Sequence, residues 1–305
     1  MIRETFIVEM YKKVDSKNPP ELIVFGLQEV VDINSPVKAK LDGRSKEKLW
    51  RTALSQLLNN YVEESAIRML GIFLIVMKKK SAILQITNKG TDDVPTGMLN
   101  QYGNKGGVGV RTTTESEEKL KFKGKVKTMD EHDIIIFMGD TNSRIDSSNY
   151  EEVVRKVNAE ELDDLLKMDQ LRASHVAGKA YRGFYELEPS FKPTFKYTPG
   201  TNEFDRKKMR TPSWCDRILF KVNGNVRLEQ LSYISLREVK LSDHKPVQAM
   251  FQMTVENYCT NDHPCGIDTS RNTGGSSSAG KDKKHLFPFK SPFKRNKIAP
   301  GVQVY

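Results

Sequence analysis

The apolar residues of this chain come in short runs, and several of those runs stop at a cluster of polar side chains. LIVFGLQE (22 to 29), GIFLIVM (71 to 77), SAILQIT (81 to 87), GGVGVR (106 to 111), IIIFMGD (134 to 140), DRILFKV (216 to 222) and PVQAMFQM (246 to 253) read as strands. Over 44 to 60 and 150 to 168 the apolar residues recur at helical spacing, which predicts two helices. TPGTNEFD, 198 to 205, is turn-forming, and no internal repeat is present. The mixture predicts a layered α/β sandwich with its polar strand ends gathered on one edge.

With 305 residues and 37% hydrophobic content, the chain can bury one large core or two small ones. No run of eighteen apolar residues exists to span a bilayer as a helix; MLGIFLIVM, 69 to 77, is half that length and reads as a buried strand. MIRETFIVEMYKK lacks the apolar core and cleavage site of a signal peptide, and Cys215, Cys259 and Cys265 have no metal-ligand spacing. The expectation is a cytoplasmic protein with reduced thiols. Its net charge of +10 favours an anionic partner.

Order fades near residue 256, so the chain divides into a domain over 1–255 and a flexible basic tail over 256–305. DTSRNTGGSSSAG, 268 to 280, has linker composition. KDKKHLFPFKSPFKRNK, 281 to 297, carries seven Lys or Arg against one Asp, a net +6, with Phe287, Phe289 and Phe293 interleaved. Pro288 and Pro292 argue against a regular helix. Such a segment suits peripheral attachment to an anionic membrane surface.

Three strand ends carry candidate chemistry. FGLQEV ends in Gln28-Glu29, IFMGDTN in Asp140-x-Asn142, and LSDHKPV sets Asp243-His244 just before a strand. Glu29 and Asp243 offer hard oxygens suited to Mg2+, an ion that binds through one or two carboxylates plus substrate phosphate. Asp140 can take a proton from an attacking water, Asn142 can orient that water, and His244 can meet a phosphate or transfer protons. Together these residues describe metal-assisted hydrolysis of a phosphoester.

FMGDTNSRID and RTPSWCDRILF resemble the two signature motifs of the inositol polyphosphate 5-phosphatases, written W-x-G-D-x-N-x-R and P-x-W-C/T-D-R-I/V-L. GLQEV, YGNKGGVGVR, PTFKY and LSDHKPV resemble further blocks of that family in the same order, so the likeness runs over residues 20 to 252. ELIVFGLQEVVDIN and MDEHDIIIFMGDTNSRID resemble synaptojanin-type domains, and OCRL-type domains nearly as well. The resemblance implies a four-layered α/β sandwich of the DNase I-like endonuclease/exonuclease/phosphatase type. It also implies Mg-dependent removal of the 5-phosphate from phosphatidylinositol 4,5-bisphosphate and related phosphoinositides or soluble inositol phosphates.

Carried over to this chain, the resemblance makes Glu29 a holder of the Mg2+, Asp140 the base and Asn142 the residue that steadies water or phosphate. Asp216 would hydrogen-bond His244 and fix its tautomer. Lys105, in a loop where Gly103, Gly106 and Gly107 let backbone approach a ligand, would supply charge for a phosphate. Lys196, Lys208 and Arg210 would grip the neighbouring 4-phosphate. The expected partner is therefore an inositol phosphate or its lipid, with no nucleic acid, acting on a monomer.

Two parts of the family pattern have no counterpart here. The family opens with a strand ending in T-W/Y-N-V-N-G, whose Asn helps bind metal, and MIRETFIVEMYKKVDSKNPP contains nothing like it. The family also carries a core strand ending in N/S-H-L/F, whose His contacts the scissile phosphate. Residues 112 to 131, TTTESEEKLKFKGKVKTMDE, hold no histidine and no apolar strand. These losses keep an alternative open: a catalytically impaired relative that binds phosphoinositides as a scaffold. A nuclease of the same superfamily would suit the positive charge, but PSWCDRIL and the Lys208-x-Arg210 pair argue against it.

Overall fold

The computed structural model describes residues 18–31, 36–96, 106–115, 128–223, 226–255 and 301–304. In chain order the elements are β1 (Leu22–Leu27), α1 (Pro36–Leu57), β2 (Tyr61–Met69), β3 (Ile72–Lys79), β4 (Gln85–Pro95), β5 (Gly106–Glu115) and a single 3-10 turn (Met129–Glu131). They continue with β6 (Ile134–Asp140), α2 (Tyr150–Asn158), α3 (Leu162–Leu166), α4 (Gln170–Val176), β7 (Asp216–Val222), β8 (Val226–Ser235), β9 (Val247–Val255) and β10 (Gly301–Val304). A six-stranded sheet runs β2-β3-β1-β10-β9-β8, while β4–β5 and β6–β7 form separate antiparallel pairs.

Strand alternation builds the layers. Successive side chains of β1 face opposite sides. Ile23, Phe25 and Leu27 pack with Leu54 and Leu58 at the end of α1 and just beyond it, and with Phe73, Ile75 and Met77 of β3. Leu22, with Val24 beside it, faces the other way, onto Ile218, Val247, Ala249 and Phe251. In β7 the same alternation sends Ile218 toward the large sheet and Leu219 toward Ile135, Leu171 and Phe184 under the helices. Val153, Val157, Leu165 and Leu166 of α2 and α3 close a further cluster around the fully buried Trp214. The order is helix, sheet, strand pair, helices: the four-layered α/β sandwich expected from the sequence.

Several elements differ from expectation for physical reasons. β2 and β8 are the two edges of the large sheet, and their polar sequences, YVEESAIRM and VRLEQLSYIS, protect those edges without an apolar run to betray them. The run predicted as a strand over 81–87 turns first and enters β4 only at Gln85. The helix predicted over 150–168 breaks after Asn158, where Glu160 takes a left-handed φ of 60°, and resumes as α3. Four residues assigned to the flexible tail form the central strand β10, parallel to β1 and antiparallel to β9. Their brevity hid them, since two flanking strands supply the hydrogen bonds that a short segment cannot supply for itself. The linker and basic segment over 256–300 lie outside the described residues.

Candidate active site

Register places the first two acids. β6 and β7 pair over seven positions, from Ile134 opposite Val222 to Asp140 opposite Asp216. Both carboxylates therefore reach the same end of one ladder. Gly139 makes this possible: its φ of +139° is closed to ordinary side chains, and an added Cβ would stand 3.5 Å from the Gln28 amide at the end of β1. Glu29 and Asn142, which follow these two strand ends, both sit in the left-handed region at φ 51° and 54°. Held non-glycine residues in that region are common where a site is built.

His244 arrives from the other side, three residues before β9. Its Nδ1 lies 2.9 Å from Asp216 Oδ2, the partnership the resemblance implied, which leaves Nε2 for a ligand. The ligand atoms of Asp140, Asp216 and His244 all lie within 4.8 Å of one another. The segment Thr194 to Tyr197 is laced between the other strand ends. Phe195 exchanges backbone hydrogen bonds with Ser213, Tyr197 N–H donates to Asp243 O, and Lys245 N–H donates to Thr194 O. This fixes the Phe195 ring against the His244 imidazole, centroids 4.6 Å apart, and the Arg144 guanidinium stands 4.2 Å from the same ring.

The electrostatics follow from crowding. Asp140 keeps an exposed face, yet burial of its carboxyl among the strand ends, aided by the charge of Asp216, raises its pKa above the ordinary range despite His244 and the Asn142 N–H. Burial alone would lower the His244 pKa, but the hydrogen bond and charge of Asp216, with Asp140 and Asp243 nearby, raise it overall. The site therefore favours a protonated imidazole beside a carboxylate with proton affinity above normal. Behind it, burial holds Lys245 down to about 8, its ammonium donating to Thr201 O and Val239 O.

The remaining candidates divide clearly. Asn142 donates its backbone N–H to Asp140 Oδ1 at 2.8 Å and accepts from Arg144 through its side chain. Asp243 and Lys196, assigned separately to metal and substrate, face each other as an ion pair, and Lys196 draws the Asp243 pKa down against the effect of burial. Glu29 is exposed at the β1 end, next to a cleft of about 150 Å3 lined by Gln28, Gly139, Asp216 and His244. Lys208 and Arg210 are exposed in the loop before Thr211, and Lys105 lies outside the described residues. Arg144 has no role in the sequence pattern; its i+2 spacing from Asn142 is the signal that points to it.

Arg217 follows Asp216 in β7 but does not share its face. Alternation turns it to the opposite face, where it is 2% exposed. There it holds Asp169 at 2.9 Å and Glu186 at 2.8 and 2.5 Å, with the Tyr233 hydroxyl donating to Glu186 at 3.0 Å. Asp169 also caps α4 by accepting from Arg172 N–H. The clamp ties the strand that carries Asp216 to the helical layer.

A divalent cation suits part of this donor set. Asp140 and Asp216 present hard oxygens with like charges pressed together, and a cation would relieve that repulsion. His244 is the softer donor, and its Nδ1 is already engaged.

Endonuclease/exonuclease/phosphatase family 2 matches residues 2–125 and 114–250. Mouse type II inositol 1,4,5-trisphosphate 5-phosphatase is 32% identical over 246 residues, 69% of this chain and 24% of that protein. The chain thus spans about a quarter of the length of the curated relatives it matches. The inositol polyphosphate 5-phosphatase domain of SPsynaptojanin, solved with inositol (1,4)-bisphosphate and calcium ion, superposes with a TM-score of 0.62 at 28% identity. That likeness covers 76% of this chain and 75% of the domain. Cimex nitrophorin, as its ferrous NO complex, has the same fold at a TM-score of 0.60 and 23% identity, covering 79% of this chain and 89% of its own. Fold alone does not settle chemistry in this architecture. By its sequence match and its DNase I-like fold, the chain belongs to endonuclease/exonuclease/phosphatase family 2, among relatives named inositol polyphosphate 5-phosphatases.

Proposed function

We propose that the chain hydrolyses the 5-phosphate of phosphatidylinositol 4,5-bisphosphate and of related inositol phosphates, with Mg2+ as its cofactor. The observation that carries this reading is the meeting of Asp140, Asp216 and His244 at one end of the β6–β7 ladder. Two groups with raised proton affinity, one a carboxylate and one an imidazole, are the parts an acid–base hydrolysis needs. The substrate class rests on the relatives, an inositol 1,4,5-trisphosphate 5-phosphatase and a phosphatidylinositol 4,5-bisphosphate 5-phosphatase among them.

In this mechanism Asp140 accepts a proton from water as the water oxygen attacks phosphorus and the bond to the inositol oxygen breaks. The Asn142 N–H holds one Asp140 oxygen and so aims the other. His244, whose proton affinity Asp216 raises, in its protonated form presents Nε2–H to the phosphate and offsets charge growing on its oxygens. Phe195, itself covered by the Arg144 guanidinium, packs against the imidazole and limits its rotation. Mg2+, held by carboxylates of this edge with Glu29 available beside them, would neutralise phosphate charge and stabilise the leaving oxygen. Lys196 is already aimed along the edge by Asp243, with Lys208 and Arg210 in the next loop for the 4-phosphate.

Phosphate release from phosphatidylinositol 4,5-bisphosphate vesicles, run beside plasmid nicking, tests the proposal. Mg-dependent release that disappears in Asp140→Asn is the expected result. The absence of histidine from residues 112 to 131 favours a second reading, the scaffold. Saturable lipid binding without any phosphate release would establish that reading and overturn the enzyme.

A further inference from the structure

β10 is joined to the sheet in an unusual way. It lies beside β9 in antiparallel register, Gly301 opposite Gln252 and Val304 opposite Ala249. Antiparallel neighbours of this kind are commonly joined by hairpin loops of roughly 2–5 residues. Here the 45 residues from 256 to 300 stand between Val255 and Gly301. With 45 residues of chain between them the two strands are not a hairpin, so the pairing of β10 is governed by an effective concentration, as that of a linked ligand is.

The slot it occupies is central. Among the described residues, β10 alone bridges β1 to β9, pairing Leu22, Ile23 and Val24 on one side and Ala249 to Gln252 on the other. Without it the six-stranded sheet parts into β2-β3-β1 and β9-β8, each with a raw edge. Beyond the paired residues, β1 continues through Phe25, Gly26 and Leu27 and β9 begins at Val247, and these stretches border the cleft that Gln28, Asp216 and His244 share.

We infer that the groove between β1 and β9 is a strand-acceptor site, filled reversibly by this chain's own Gly301–Val304, and that its occupancy assembles the active site. The coupling rests on the proposed phosphatase reading; the acceptor site does not. Glu29 rides on β1, whereas His244 leads into β9 and Asp216 lies over the same core. β10 is the backbone link within the large sheet that holds these two halves in register. An extended peptide with alternating β-branched residues is the ligand class that fits, by strand addition between two existing edges.

A protease site placed between residues 272 and 278 lets the full chain fold before it is cut. After cleavage the C-terminal fragment should stay bound on size exclusion and be displaced by excess peptide of residues 298 to 305. The peptide carrying Gln303→Pro, which cannot donate within the ladder, should not displace it. Stripped protein should exchange the amide hydrogens of Leu22–Val24 and Ala249–Gln252 faster, and phosphate release should fall by roughly 10²-fold, the scale of a small misplacement of catalytic groups. Adding back the wild-type peptide should restore both.

Unchanged exchange at β1 and β9 after stripping, or no saturable peptide binding, overturns the acceptor site. A cut protein that elutes as a dimer, with fragments exchanged between copies, assigns the slot to a second copy and overturns the intrachain seating. Full activity in the stripped protein overturns the coupling while the proposed function stands. Should the intact chain release no phosphate, the proposed function fails, and retention and hydrogen exchange still decide the acceptor site.

Discussion

The β6–β7 ladder and the β1–β9 groove lie side by side and hold their residues by opposite means. The ladder pairs seven residues, is covered on one face by the large sheet and on the other by helices, and is anchored from behind by the buried Arg217 clamp. The groove is bridged by a strand of four residues that pairs three of β1. Asp140 and Asp216 consequently owe their separation to a register that burial on both faces makes costly to slip. Glu29 follows β1, which pairs along its full length with β3 on one side and over three residues with β10 on the other. The lesson is that the two ladder carboxylates are fixed by one register buried on both faces, whereas Glu29 follows a strand that has a long partner on one side only.

The most direct way to sharpen this comparison is Asp140→Asn. Loss of a general base should lower kcat by roughly 10²–10⁴-fold. Because the Asp140 carboxyl is crowded by burial and by Asp216, the same change should leave the melting temperature equal or higher. Stopped-time phosphate release and a thermal melt on one preparation check both halves. A marked loss of stability would mean that Asp140 is a structural residue of the ladder.

Arg217→Ala attacks the ladder from the other face. Breaking a buried pair strands its partners, here Asp169 and Glu186, and should cost about 3–5 kcal/mol of stability. Urea unfolding measures it. A cost below about 1 kcal/mol, the range of exposed pairs, would show that the clamp does not stiffen β7.

A smaller effect is expected from Asp216→Asn, which leaves the ladder paired but removes the charge that raises the His244 pKa. The imidazole pKa, raised in the folded chain above its ordinary value near 6.5, should fall, and an NMR titration of the ring reads the shift directly. The sign carries to stability: the contribution of His244 protonation is fully present below about 6.5 and is lost as pH rises through the raised value. The basic limb of the activity profile should move to lower pH in the variant. An unmoved titration would separate Asp216 from His244 in solution.

The smallest effect concerns the basic stretch over 281–297. Each Lys or Arg near an anionic surface contributes about 1 kcal/mol, so neutralising it should weaken flotation with phosphatidylserine vesicles while leaving turnover on soluble inositol phosphates unchanged. Equal flotation at ~0.1 M salt, where charges within about 10 Å still act, would remove the anchoring role.

What the sequence determined by itself was local. IIIFMGD and DRILFKV announce strands that end or begin in a carboxylate, because alternating burial and β-branched content need no distant partner to be recognised. The order of the motif blocks likewise carried the family and the four-layered fold. The tertiary structure alone decided which residues meet. Asp140 faces Asp216 through a register spanning 76 positions of chain, Asp243 meets Lys196 and not a shared ligand set with Glu29, and Arg217 turns its back on the residue beside it. The polar edge strands β2 and β8 and the four-residue β10 were invisible for the same reason: their hydrogen-bonding partners, and not their own composition, make them strands. Pairing energy resides between segments far apart in the chain, and no pattern within either segment records it.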